Sequence, residues 1–145
     1  MPVTYRRQEP DYKALYRTVL DSDYGYGNYI THYIRFFPDG TLLSVFAPDF
    51  VYNTEGCYQE PWYIRELLVP GVKTYPDDAF SILAGTYSIE DGVLTYRIFL
   101  GEDIFEEGTG HFFAIQWSGI EPCLHLNYQN RCFGDEGQRD YRSWD

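Results

Sequence analysis

In the stretch "CLHLNY", Cys123 and His125 lie two residues apart, so on a β-strand a thiolate and an imidazole would share one face, a spacing that can chelate a metal. Two ligands are too few for a site. His32 and His111 fall on other segments and could join them only through the fold, so ordinary thiol and imidazole packing is the simpler expectation, with no metal and no cofactor. A cysteine nucleophile needs a neighbouring base and an electropositive setting to lower its pKa, and this acidic chain offers little of the latter. Adjacent carboxylates occur at Asp77-Asp78 and Glu106-Glu107; in turn-like contexts they read as solvated loop charges rather than an acid/base pair. The glycine-rich "YGYGNY" at Tyr24 to Tyr29 lacks the strand before it and the helix after it that would shape a phosphate-binding loop. No catalytic residue is assigned, and the chain reads as a non-enzyme.

What remains is a recurrent pairing of flat rings with fixed positive charge. Tyr33 with Arg35, and Tyr96 with Arg97, can serve a ligand carboxylate or an acidic group of a partner. An arginine among tyrosines can equally be scaffold. Arg35 alternates with Ile34 and Phe36, so it cannot share their apolar face; it either braces an acid across the sheet or faces a ligand.

The elements that would carry these residues are mostly strands. In "YIRFFPDGTLLSVF", Ile30, Ile34 and Phe36 alternate with Thr31, Tyr33 and Arg35, and Asp39-Gly40 supplies a tight turn before the return strand Thr41 to Phe46. A second hairpin, "GTYSIEDGVLTYRIFL", turns at Asp91-Gly92, with Leu94, Tyr96, Ile98 and Leu100 facing the core. Strands are expected at His111 to Trp117 and at Cys123 to Tyr128. Near the start, Tyr12, Leu15, Tyr16 and Val19 have helical spacing, which predicts a short N-terminal helix.

Between the hairpins, residues 47–83 contain Pro48, Pro61, Pro70 and Pro76 and are expected to be an ordered insertion. Its "CYQEPWYIRELL" offers Tyr58, Trp62, Tyr63 and Leu67 either as anchors for a partner or as a plug for one end of the fold. Residues 134–145 read as a loose polar tail.

The chain's 145 residues suit one domain, and its 15 Tyr, 10 Phe and 3 Trp against a single Met favour strands. A mainly β fold follows: a small antiparallel β-barrel or strongly bent meander sheet, lipocalin-like in outline. The net charge of -11 repels phosphate backbones and anionic lipid headgroups, which argues against nucleic acid and membrane surfaces as partners. No stretch is apolar enough to span a bilayer, the N-terminal residues lack the apolar core of a signal peptide, and three cysteines fit reduced thiols in the cytoplasm or nucleus.

The motif "YIRFFPDG", Tyr33 to Gly40, closely resembles a stretch in the C-terminal β domain of the F-box-only protein nine family. Thr4-Tyr5, Arg7-Gln8 and Tyr16-Arg17 upstream are similar to the opening of that domain, and Pro48, Gly85 with Tyr87, and Leu126 to Tyr128 follow in order. The resemblance covers about two-thirds of the chain and thins after Leu100. It implies recognition of a protein destined for ubiquitin transfer, without chemistry of its own. The helical repeats and the F-box of that family are not in this sequence, so ligase assembly is not carried over. Two readings thus stand: a protein-binding module, and a carrier of a small apolar ligand whose head group Tyr33, Arg35, Tyr96 and Arg97 would orient at the barrel mouth.

Overall fold

A computed structural model describes residues 2–21, 29–48, 68–70, 82–100, 105–130 and 135–144. These residues form nine strands and no helix: β1 (Val3–Arg7), β2 (Leu15–Asp21), β3 (Tyr29–Phe36), β4 (Thr41–Pro48), β5 (Leu83–Glu90), β6 (Val93–Phe99), β7 (Phe105–Gln116), β8 (Ile120–Asn130) and β9 (Asp135–Trp144). From β2 to β9 each strand pairs antiparallel with the next, and β9 pairs back to β2. The expected antiparallel barrel is therefore present, as a closed up-and-down ring of eight strands with β1 added outside it.

Both hairpins form where the sequence places them. Asp91 and Gly92 have φ of 53° and 77°, the backbone pair that a two-residue turn between twisted strands requires. In the first hairpin the Asp39 carboxylate accepts hydrogen bonds from the Thr41 amide (3.0 Å) and hydroxyl (2.6 Å), closing the turn. Leu94, Tyr96 and Ile98 point inward as the alternation requires.

Two expectations are corrected. Residues Leu15 to Asp21 form strand β2, not a helix. Adjacent apolar residues suit a strand covered on both faces: Tyr16 enters the core, while Leu15 lies on the opposite face in a separate apolar cluster. Partners on both sides, β3 and β9, then decide for the strand. The polar C-terminal stretch is likewise no loose tail: β9 pairs with β8 from Asp135 to Arg142, and its Tyr141 is fully buried. Most of the proline-rich insertion lies outside the described residues.

Strand β7 is longer than expected, starting at Phe105 instead of His111. One of its edges pairs along its length with β8; the other pairs first with β6, through Phe105 to Gly110, and then with β1, through Phe112 to Gln116. Among the described residues β1 has no second partner strand. The ring closes at β2–β9 through three facing pairs, Leu15 with Trp144, Tyr16 with Ser143 and Arg17 with Arg142.

The core fills the barrel interior. Tyr16, Phe36 and Phe112 pack ring against ring at 5.1–5.7 Å, among Ile34, Leu42, Leu94, Leu124 and Leu126. These offset and edge-to-face contacts add to the burial of their large apolar area. At this end Asp11 donates its amide to the Tyr16 hydroxyl (3.0 Å), and Ala14 and Tyr12 of the β1–β2 connection pack on the core. A second cluster lies outside the wall, where Leu68, with Ile82 packed against it, covers Leu15, Tyr33 and Val45.

Candidate functional site

At the opposite end of the barrel, from which the β2–β3, β4–β5, β6–β7 and β8–β9 connections leave, the interior turns polar. Glu106 of β7 points inward and is 3% exposed. Arg139 of β9 meets it, with one guanidinium nitrogen 3.0 and 3.1 Å from the two carboxylate oxygens, and the Tyr96 hydroxyl donates to the same carboxylate at 3.1 Å. The guanidinium carbon also sits 3.7 Å from the centre of the Tyr128 ring, a cation–π contact that a desolvated arginine strengthens. Burial first, then the Glu106 charge, holds the Tyr96 phenol well above its ordinary pKa, so it remains a donor.

The network continues through Tyr141 to His32, whose Nδ1 lies 2.6 Å from the Tyr141 hydroxyl. Arg139 hydrogen-bonds Tyr141 in a sense that favours the phenolate, but burial is the larger effect and keeps the phenol protonated. Burial, reinforced by Arg139, pushes the His32 pKa well below the usual imidazole value. His32 is therefore neutral, and its proton position follows from the network: the phenol donates to Nδ1, so Nε2 carries the N–H. That Nε2, and the Ser44 hydroxyl on the neighbouring strand, are buried without a hydrogen-bond partner among the described residues. The His32 ring itself lies flat on Phe46, 4.0 Å between centres. The arrangement is a pair of buried polar atoms beside a neutralised charge pair.

The outer wall carries the remaining polar features. A groove of about 510 Å³ runs over β5 to β8 past Thr86, Thr95, Arg97, Glu107 and Thr109. A second, of about 390 Å³, lies over β1 and β7 to β9, lined by Thr4, Arg6, His111, Phe113, His125 and Asp140. At the β7–β8 turn Trp117 is 63% exposed; the residue before it, Gln116, faces Val3 of β1 on one side and Ile120 of β8 on the other, and both of these are exposed.

The four ring-and-arginine residues singled out in the sequence do not converge. Tyr33 and Arg35 share the outer face of β3, Tyr96 is inside, and Arg97 is outside on β6, ion-paired to Glu107 at 3.1 Å and stacked 4.3 Å from the centre of the Phe105 ring. Arg35 braces no acid in the described structure; it donates to the Leu68 carbonyl (3.2 Å), fastening that segment over Tyr33. Tyr58, Trp62 and Tyr63 lie outside the described residues. Cys123 and His125 do share one face of β8, but Cys123 is buried and its thiol is pushed up first by that burial and then by Glu121. The Glu106-Glu107 pair is not a solvated loop: Glu106 is inside the barrel and Glu107 outside on the same strand. Among the described residues no group of three or more His, Cys, Asp or Glu side chains could hold a metal ion.

No protein-family model, curated protein or solved structure matches this chain.

Proposed function

We propose that this chain is a non-enzymatic binding module that recognises an extended segment of another protein, and that it docks that segment along β1 and the turn beyond it. The observation that carries this reading is the exposed Trp117, next in sequence to the facing row of Val3, Gln116 and Ile120, beside a strand that has one unpaired edge among the described residues. An edge strand offers a ladder of main-chain donors and acceptors, and an exposed tryptophan at its end supplies the buried anchor that dominates binding energies. The net charge of -11 favours a segment with basic residues around an apolar one. The filled interior at this end supports a rigid platform over a container. The resemblance of Tyr33 to Gly40 to the F-box-only protein nine family agrees with this reading and suggests a role in choosing proteins for ubiquitin transfer, in the cytoplasm or nucleus.

Selection of displayed random peptides against the purified protein tests it. The expected product is an apolar residue flanked by Lys or Arg, bound at least about tenfold more weakly by Trp117→Ser and unchanged by Arg97→Ala, which faces the other end of β7. Selected peptides that bind Trp117→Ser equally well would overturn the assignment of this face.

The polar layer favours a second reading, a lipocalin-like carrier of a small apolar ligand with a polar head group, because His32 Nε2 and Ser44 Oγ are buried in the barrel interior without a hydrogen-bond partner among the described residues. Native mass spectrometry tests it. A bound small molecule lost on His32→Phe supports the carrier, and a bare mass from fresh lysate counts against it.

A further inference from the structure

The second outer groove is built around three residues in register. His111 on β7 faces His125 on β8, and His125 faces Asp140 on β9. All three line the groove, with Arg6 and Phe113 beside them. Outward parity on adjacent strands fixes this row, and side chains in facing pairs sit close enough to act together.

The carboxylate of Asp140 lies 2.7 Å from His125 Nδ1. An ionised carboxylate can only accept, so Nδ1 carries the proton, and in the neutral ring Nε2 is left with its lone pair. A histidine held by a carboxylate through one nitrogen and presenting the other is the arrangement in which imidazoles ligate metals. The His111 and His125 ring centres are 5.4 Å apart and tilted by 37°. Zinc–nitrogen bonds of about 2.0–2.1 Å at a tetrahedral angle put the centres of two ligating imidazoles about 5.2 Å apart. The pair is thus spaced as two ligands of one ion are.

We propose that His111 and His125 form a two-histidine site for a divalent transition metal of the zinc and copper class on the outer wall of the barrel, with Asp140 as positioning residue and solvent completing the coordination. Imidazole selects this class over magnesium or calcium, which prefer oxygen. Among the described residues Arg6 is the one cation lining the groove, and its charge weakens the site. The open positions make it a place where a partner's side chain could complete the shell.

Titrating the purified chain with Zn²⁺ alone, while following the ring nitrogens of all three histidines by NMR, tests the proposal. Saturable shifts at His111 and His125 with His32 unmoved are expected. By calorimetry, His111→Gln and His125→Gln should each abolish binding, Asp140→Asn should weaken it about 10–100-fold, and Arg6→Gln should tighten it. Mg²⁺ should give no shift. Absence of saturable binding at millimolar Zn²⁺, or shifts that spare either His111 or His125, would overturn the site. Because the ring shifts are read on the unaltered chain, a variant that fails to fold leaves the test intact.

Discussion

Arg139 on β9 and Glu106 on β7 reach each other inside the barrel, 3.0 Å apart, on strands separated by the whole of β8. Two opposite charges removed from water hold each other, and removal of one leaves the other uncompensated, a loss of about 3–5 kcal/mol. Glu106→Gln should therefore lower the stability measured by urea unfolding by about that amount. Replacing both, as Glu106→Leu with Arg139→Met, should recover most of the loss. A single-variant loss below about 1 kcal/mol would mean that the pair is solvated.

His32 sets a pH dependence. Its folded pKa is depressed by burial, so near pH 6.5 the unfolded chain takes up a proton that the folded one does not. Its contribution is fully present above pH 6.5 and is lost as the pH falls below that value towards the depressed folded pKa, by at most about 1.4 kcal/mol per pH unit. Urea unfolding at pH 7.5, 6.5 and 5.5 should show this slope, and His32→Gln should flatten it. The same slope in His32→Gln would assign the effect to another group, His111 being the first suspect because burial and Arg6 lower its pKa too.

Arg35 ties the segment at Leu68 to the barrel wall. Its hydrogen bond to the Leu68 carbonyl contributes about 1 kcal/mol, and Arg35→Met, which keeps the apolar stem, should lose that much in thermal or urea unfolding. Unaltered stability together with weaker peptide binding would instead make Arg35 a recognition residue.

Gly108 lies where β7 meets β8 too closely for a side chain: a Cβ there would fall 1.9 Å from the Asn127 carbonyl oxygen. Backbone cannot retreat without parting the strands, so Gly108→Ala should cost about 3 kcal/mol. Gly119, in the β7–β8 turn, has nothing within 4 Å of such an atom, and Gly119→Ala serves as the neutral control in the same thermal melts.

The strands were legible wherever one face is apolar and the other polar, as in β6, and wherever an Asp-Gly turn separates two such runs. Legibility failed where both faces are covered. Leu15 and Tyr16 are buried on opposite faces of β2, so the alternation that marks a half-exposed strand is absent and helical spacing is as good a fit. In β7 the inward set includes Gly108 and Gly110 along with Glu106, which hides the period from a hydrophobic pattern. The polar layer was illegible for a different reason. Glu106, Arg139, Tyr141 and His32 come from three strands, and only closure of the ring brings them together. The outer row of His111, His125 and Asp140 was half visible, since the two-residue spacing puts His125 on a strand face with Cys123, but its partners depend on the register between strands.

The short β2–β9 seam bears on how the molecule opens. Three facing pairs close the ring, whereas β7 and β8 share eleven. Beyond Arg17, β2 continues along β3, and β9 continues along β8 without a described pairing between the two. The wall is therefore a bracelet with a small clasp, and the slot above the clasp runs alongside Tyr141 and Arg139. Fluctuations that unfasten it would turn the ring into a ribbon with two bare edges and let water reach His32 from the side, and because Tyr16 is itself in the clasp, its packing on Phe36 and Phe112 is what resists that opening.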